Sequence, residues 1–411
     1  MFLALLACST PGSTPPPADA PTWHADVEPI VTRSCTGCHT EGGNAPVSLT
    51  SYASAASWKD AIAEAVGSRT MPPWLASPDC NTYQGDRSLT EEEIATILAW
   101  ADAGAPEGDV ATAVVSEPLA DPVLDSVDLT IAMPEAYTPT ASPDDYRCFL
   151  IDWPLAERAY VTGFEVNPGN LQTVHHAIPF LVDAADVEAY RALDAADPAP
   201  GYTCYGSPNG DPRALESTRW LGSWAPGGGT ATFPAGSGIR VEPGSVVALQ
   251  MHYNVANGGG DDLTSVDFQL ADAVEHSADL QPWTDIAWVL GGGMDIPAHT
   301  DGVTHTFAYT ATEDDGSFFL HSSALHMHTR GKSASLVIQR AGEEDECLLA
   351  VEQYDFDWQR SYYFDAPATV NPGDTVLLTC TWDNPGDDDL DWGEGTGDEM
   401  CLATTFLTDA Y

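Results

Sequence analysis

Two textures of hydrophobic and polar positions divide the chain. In TWHADVEPIVTRSCTGCH (residues 22–39) and SLTEEEIATILAWADAGAP (residues 88–106), apolar residues recur at helical spacing. Thr90 and Glu93 form a capping-box pattern, and Ile94, Ile97, Leu98 and Ala101 line one face. Gly104 followed by Pro106 supplies the stop. From about residue 127, short runs of β-branched and aromatic residues alternate with Gly, Pro, Asn and Asp clusters, as in RAYVTGFEV, SVVALQMHYNV, SASLVIQRA and DTVLLTCTW.

The pattern predicts a small all-α domain followed by two all-β sandwiches, since nearly three hundred residues exceed one ordinary sandwich. The expected organisation is a Pro/Ser/Thr-rich tether at 1–22, a helical domain at 23–108, a linker at 109–126, and β-domains at 127–278 and 279–411.

Charge then narrows the function. Sixty-two acidic against fourteen basic residues leave a formal charge of −48, which repels phosphate backbones and excludes nucleic acid as a partner. No apolar run is long enough to span a bilayer, so an integral membrane protein is not expected. The start, MFLALLACSTPGSTPPPADAP, resembles the end of a bacterial lipoprotein signal with Cys8 as the lipidated residue, although it lacks a basic leading segment. A lipid anchor is then the one expected membrane attachment, and the expected location is extracytoplasmic, as a periplasmic or outer-membrane lipoprotein.

Cys35-Thr36-Gly37-Cys38-His39 is the C-x-x-C-H pattern of covalent haem c, with two thioethers from Cys35 and Cys38 and His39 on the iron. Met71, in the turn-like RTMPPW, is placed to be the sixth ligand. Residues 23–108 as a whole resemble a class I cytochrome c, with a first helix ending at the motif, a methionine loop and a terminal helix bearing Trp100. A redox or zinc C-x-x-C, and ordinary packing for Met71, are the competing readings.

The β half concentrates histidines. His326 and His328 in HSSALHMHTRGKS are two apart, so on a strand both project from one face while Met327 points away. His175 and His176 are adjacent, so both reach one ion only at a strand end or bulge. His252 lies inside a strongly β segment, and Met400 stands where a final strand is expected to begin. Imidazoles with one thioether favour copper over hard ions.

The ordered pieces VHHAI, LQMHYN, LHMHTRGK and DEMC resemble the copper type II, ascorbate-dependent monooxygenases over roughly residues 127–411. The resemblance implies two copper ions facing each other across an open cleft. One would be held by His175, His176 and His252, and the other, where dioxygen reacts, by His326, His328 and Met400. It implies hydroxylation of an activated C–H bond of a small-molecule substrate, with ascorbate or another one-electron reductant supplying electrons. It also implies disulfides Cys380–Cys401 and Cys148–Cys204, and leaves Cys80 and Cys347 as free thiols or a pair joining the haem and copper domains.

The fused haem suggests electron delivery through the cytochrome, fed by a redox partner protein. At the places where peptide-amidating relatives clamp a peptide carboxylate, this chain has Ala324, Leu402 and Thr404. His321, His299, His305, His276 and His24 match no family ligand. A non-enzymatic electron-transfer or copper-binding lipoprotein is the alternative function.

Overall fold

The structure, a computed structural model, describes residues 17–409 apart from 18, 43–44, 212, 215–217, 226–227 and 257. Cys8 lies outside the described residues. The chain forms two compact units: one comprises residues up to Trp74 together with Arg87–Ala120, the other Leu75–Asp86 and Asp121–Tyr411.

The first unit is helical. A helical turn at Trp23–Val27 runs into the helix Glu28–Ser34, followed by Tyr52–Ser57, Lys59–Gly67 and Glu91–Asp102. Thr90 caps the last helix through a complete capping box with Glu93, satisfying two backbone donors that a helix start leaves open. Ile97 and Trp100 are fully buried and pack with Trp23, Val27 and Val31; the rings of Trp23 and Trp100 lie 5.7 Å apart.

The second unit is almost entirely β. Each segment with the strand texture forms a strand: Ala159–Asn167, Val246–Asn254, Gly331–Gln339 and Thr375–Asn384. The smaller sheet runs Thr300–Thr310, Thr375–Asn384, Gly331–Gln339, Glu346–Val351. The larger sheet holds strands from both expected β-domains. They join where His276–Trp283 pairs antiparallel with Leu402–Asp409. The expected boundary at 278/279 therefore falls inside a strand, and that ladder ties the two halves.

The segment Leu75–Asp86 departs from the expected extent of the helical domain. It packs within the β unit: Ser77 N–H donates to the Ala350 carbonyl at 2.8 Å, Gln84 N–H to Tyr363 at 2.9 Å, and Tyr83 OH to Leu348 at 3.1 Å. Tyr83 also packs edge-on against Tyr362. The segment covers strand backbone that would otherwise be an unpaired edge. A Cys80–Cys347 disulfide fastens it, so these two cysteines are paired within the β unit. Disulfides also join Cys148 to Cys204 and Cys380 to Cys401. Residues 109–120, expected as linker, belong to the helical unit.

Candidate metal centre

His175, His176 and His252 converge: one ring nitrogen from each lies within 4.8 Å of the others. The strand Val174–Val182 pairs with Val246–Asn254, with Val174 opposite Tyr253 and His176 opposite His252. The register slips by one residue between them, so His175 is the extra residue of a β-bulge. The bulge turns two consecutive side chains toward one point, which a regular strand forbids.

Hydrogen bonds fix which nitrogens face inward. His252 Nε2 lies 2.9 Å from an oxygen of Asp144. A carboxylate accepts, so Nε2 carries the proton and Nδ1 keeps its lone pair. That Nδ1 sits 3.3 Å from Nδ1 of His176, and His175 Nδ1 is buried without a hydrogen-bond partner. Three clustered imidazole nitrogens, together with a buried His175 nitrogen that has no hydrogen-bond partner, fit a bound cation better than a packed core.

Burial sets the charge state. It depresses His175 to about 3, with His252 and His326 opposing protonation. Burial likewise holds His176 well below, and His252 below, the ordinary histidine value. All three rings are neutral, as metal ligands must be.

His326 and His328 form the second group, their rings 5.2 Å apart and nearly perpendicular. The strand Phe318–His326 ends at His326, so His328 lies beyond it rather than on it. Tyr354 holds the intervening backbone, accepting from Met327 N–H at 3.0 Å and donating to its carbonyl at 2.9 Å. The His328 N–H turns instead to Glu399, 3.0 Å away.

His328 Nδ1 donates to the Asp398 carbonyl at 3.1 Å. His326 Nδ1 donates to Gln359 Oε1 at 2.5 Å, and Gln359 is oriented by its own donation to the Phe356 carbonyl. Both rings therefore keep Nε2 free. Burial lowers both, His328 to about 3.

Met400 is buried and precedes the final strand, which starts at Leu402, the partner of His326 in the ladder. Its neighbours Asp398 and Glu399 both bond to His328, and Cys401 is disulfide-bonded to Cys380. The backbone thus delivers Met400 to the neighbourhood of the pair.

Phe356 links the two histidine groups. It stacks on His175 at 4.8 Å and meets His328 edge-on at 5.9 Å, so these two spans together bound the separation of the groups. His321 stands apart, bonded to Thr408.

Sequence reading missed Asp144, Glu399, Gln359 and Phe356. Asp144 reaches the site through strand register: Tyr146 pairs directly with His252, and residues two apart share a face, which aims Asp144 toward the same site.

Residues 129–259 match the N-terminal domain model of the copper type II ascorbate-dependent monooxygenases, and residues 286–406 match the C-terminal domain model. The chain belongs to this family. It is similar to DBH-like monooxygenase protein 1 of Mus musculus, 25% identical over 301 residues, covering 69% of this chain and 46% of that protein. Dopamine beta-hydroxylase of Homo sapiens is 24% identical over 296 residues, covering 68% and 45%. Tyramine beta-hydroxylase of Caenorhabditis briggsae is 22% identical over 303 residues, covering 67% and 48%. The chain thus spans just under half the length of these relatives.

Proposed function

We propose that this protein is a copper-dependent monooxygenase that uses dioxygen to hydroxylate an activated C–H bond of a small molecule. The observation that carries the reading is the inward-facing set of neutral imidazole nitrogens on His175, His176 and His252, whose counterpart is the pair His326 and His328 beside Met400. Copper held at these residues would supply one-electron redox chemistry and dioxygen activation. Asp144, Gln359 and the Asp398 carbonyl hold the outer ring protons of His252, His326 and His328 in place, so the inner nitrogens of these three need no deprotonation before binding. Phe356 contacts a ring of each group.

Relatives named for β-hydroxylation of dopamine and tyramine support a benzylic or similarly activated position. The test is reaction of the reduced, copper-loaded protein with ¹⁸O₂ and a library of benzylic amines, alcohols and glycine-type amides. Mass spectrometry should find one labelled oxygen in a product. Stoichiometric copper binding with no labelled product from any substrate would favour the copper-binding alternative.

The helical unit reads as the electron supply. His39 Nδ1 donates to the Val47 carbonyl at 2.9 Å, leaving Nε2 for iron. Cys35 and Cys38 are unpaired with each other, and burial pushes the Cys35 thiol up to about 11, which suits a thioether better than a reactive thiolate. Met71 is partly buried in the bend after the helix Lys59–Gly67. Haem c at Cys35, Cys38 and His39, with Met71 completing the iron, would supply a one-electron carrier on the same chain, reduced by a partner protein or ascorbate. Stopped-flow reduction of the haem, followed by loss of the copper EPR signal, tests this; copper that stays oxidised after haem reduction would refute it. The lipid anchor at Cys8 and the periplasmic location belong to the same proposal.

A further inference from the structure

The segment Gly393–Glu399, GEGTGDE, touches both histidine groups. At its start, Tyr146 OH donates to the Glu394 carbonyl at 2.6 Å while the Tyr146 ring stacks on His252 at 4.0 Å and 9°. In the middle, Thr396 binds Asp144 twice: its hydroxyl donates to one carboxylate oxygen at 2.8 Å and its N–H to the other at 3.1 Å. At its end, Asp398 and Glu399 accept from the ring and the backbone of His328. The strap is also folded on itself. Asp398 accepts from Gly395 N–H at 3.1 Å and lies so close to Gly393 that a Cβ there would collide with it.

Asp144 is the node. One of its oxygens accepts from His252 Nε2 at 2.9 Å, Thr396 Oγ1 at 2.8 Å and Asn254 Nδ2 at 3.1 Å. The other takes the Thr396 N–H. Such a cluster of directional bonds orients a ring only if all members are in register, so the angle of His252 and the position of the strap constrain each other.

We propose that Asp144 is a positioning residue for both cups: it orients the His252 ring and, through Thr396, anchors the strap that braces His328 and leads into Met400. The inference rests on the copper reading for its metal readouts but not for the mechanical link. Asp144 hydrogen-bonds His252 among the proposed ligands and Thr396 on the strap, so the strap is its hydrogen-bonded route to the Met400 cup, distinct from the ring contacts of Phe356 with His175 and His328.

The experiment uses the full chain with Asp144→Ala, Asp144→Asn and Thr396→Val. In the metal-free protein, amide hydrogen exchange over residues 393–399 should accelerate about tenfold or more in Asp144→Ala and Thr396→Val, with Asp144→Asn between them and wild type, because an amide oxygen restores part of the acceptor set. In a His326→Ala/His328→Ala background that leaves the three-histidine cup alone, Asp144→Ala should weaken copper binding about 10–100-fold and change the Cu(II) EPR hyperfine splitting. In Thr396→Val with both cups intact, X-ray absorption of the Cu(I) form should show a diminished sulfur contribution. Unchanged exchange over 393–399 and unchanged spectra in Asp144→Ala and Thr396→Val would overturn the proposal. Should Asp144→Ala not fold, Thr396→Val decides alone. Wild-type protein that binds no copper would defeat the proposed function, while the exchange arm would still judge the strap.

Discussion

The carboxylate of Glu399 accepts the backbone N–H of His328 at 3.0 Å, from the position next to Met400. The same fully buried group takes the Arg330 N–H at 2.6 Å and the Trp382 indole N–H at 2.8 Å. Glu399→Ala leaves two buried donors, the His328 N–H and the Trp382 indole N–H, without this acceptor, at about 1–3 kcal/mol each, along with the part-buried Arg330 N–H. Chemical denaturation of the copper-free protein should register a loss of at least about 2 kcal/mol. Glu399→Gln keeps one carbonyl oxygen and should lose less. Equal stability of Glu399→Ala and wild type would show that the turn holds without its brace.

Copper binding at the three-histidine cup should be nearly proton-neutral. Because burial depresses these imidazoles, with His175 at about 3, they hold fewer protons at pH 6 than free histidines. Calorimetry at pH 6 in buffers of different ionisation enthalpy, in the His326→Ala/His328→Ala background, should report well under one proton released. Three ordinary histidines of pKa near 6.5 would release about two. The same depression has a sign for stability: the unfolded chain binds protons that the folded cup refuses. The cup's contribution to stability is therefore present above pH 6.5 and is lost as pH falls from about 6.5 toward about 3.

The disulfide Cys80–Cys347 fastens a segment interrupting the helical unit to a strand of the β unit. Trypsin cleaves after Arg69, Arg87, Arg340 and Arg360. Unreduced digests should contain peptide 70–87 linked to peptide 341–360, separating on reduction. The two peptides running free before reduction would contradict the pairing.

Glycine-extended peptides should not be substrates. Ala324 pairs with Thr404 across the ladder and Leu402 pairs with His326, so the positions where a peptide carboxylate would be clamped by resemblance lie together beside the second cup, and none of these three residues is cationic. Incubation of the reduced enzyme with such a peptide should yield no glyoxylate above background; robust glyoxylate formation would refute this.

Much of this was legible in the sequence because periodicity and ligand chemistry are local. The capping box at Thr90, the alternation in DTVLLTCTW and the three histidine groups each announce themselves within a dozen residues. Two adjacent ligands demanded a strand end or a bulge at His175 and His176, and the register shows which: a bulge. Pairings separated by long stretches of chain were not legible. Asp144 meets Thr396 across more than two hundred residues, and Tyr83 meets Phe364 across nearly three hundred. The strand also stops at His326, beyond which the Met327 N–H goes to Tyr354 and the His328 N–H to Glu399. These side-chain acceptors have no signature in alternation.

The proposed chemistry needs two distinct copper cups, one all-imidazole and one completed by a thioether. Copper quantification with X-ray absorption of the reduced protein, comparing wild type with Met400→Ala and His175→Ala/His176→Ala, distinguishes them. Wild type should hold two copper ions per chain, the sulfur contribution should disappear in Met400→Ala, and His175→Ala/His176→Ala should keep about one copper with its sulfur signal. One copper in wild type, or a sulfur signal that survives removal of Met400, would contradict the two-cup arrangement.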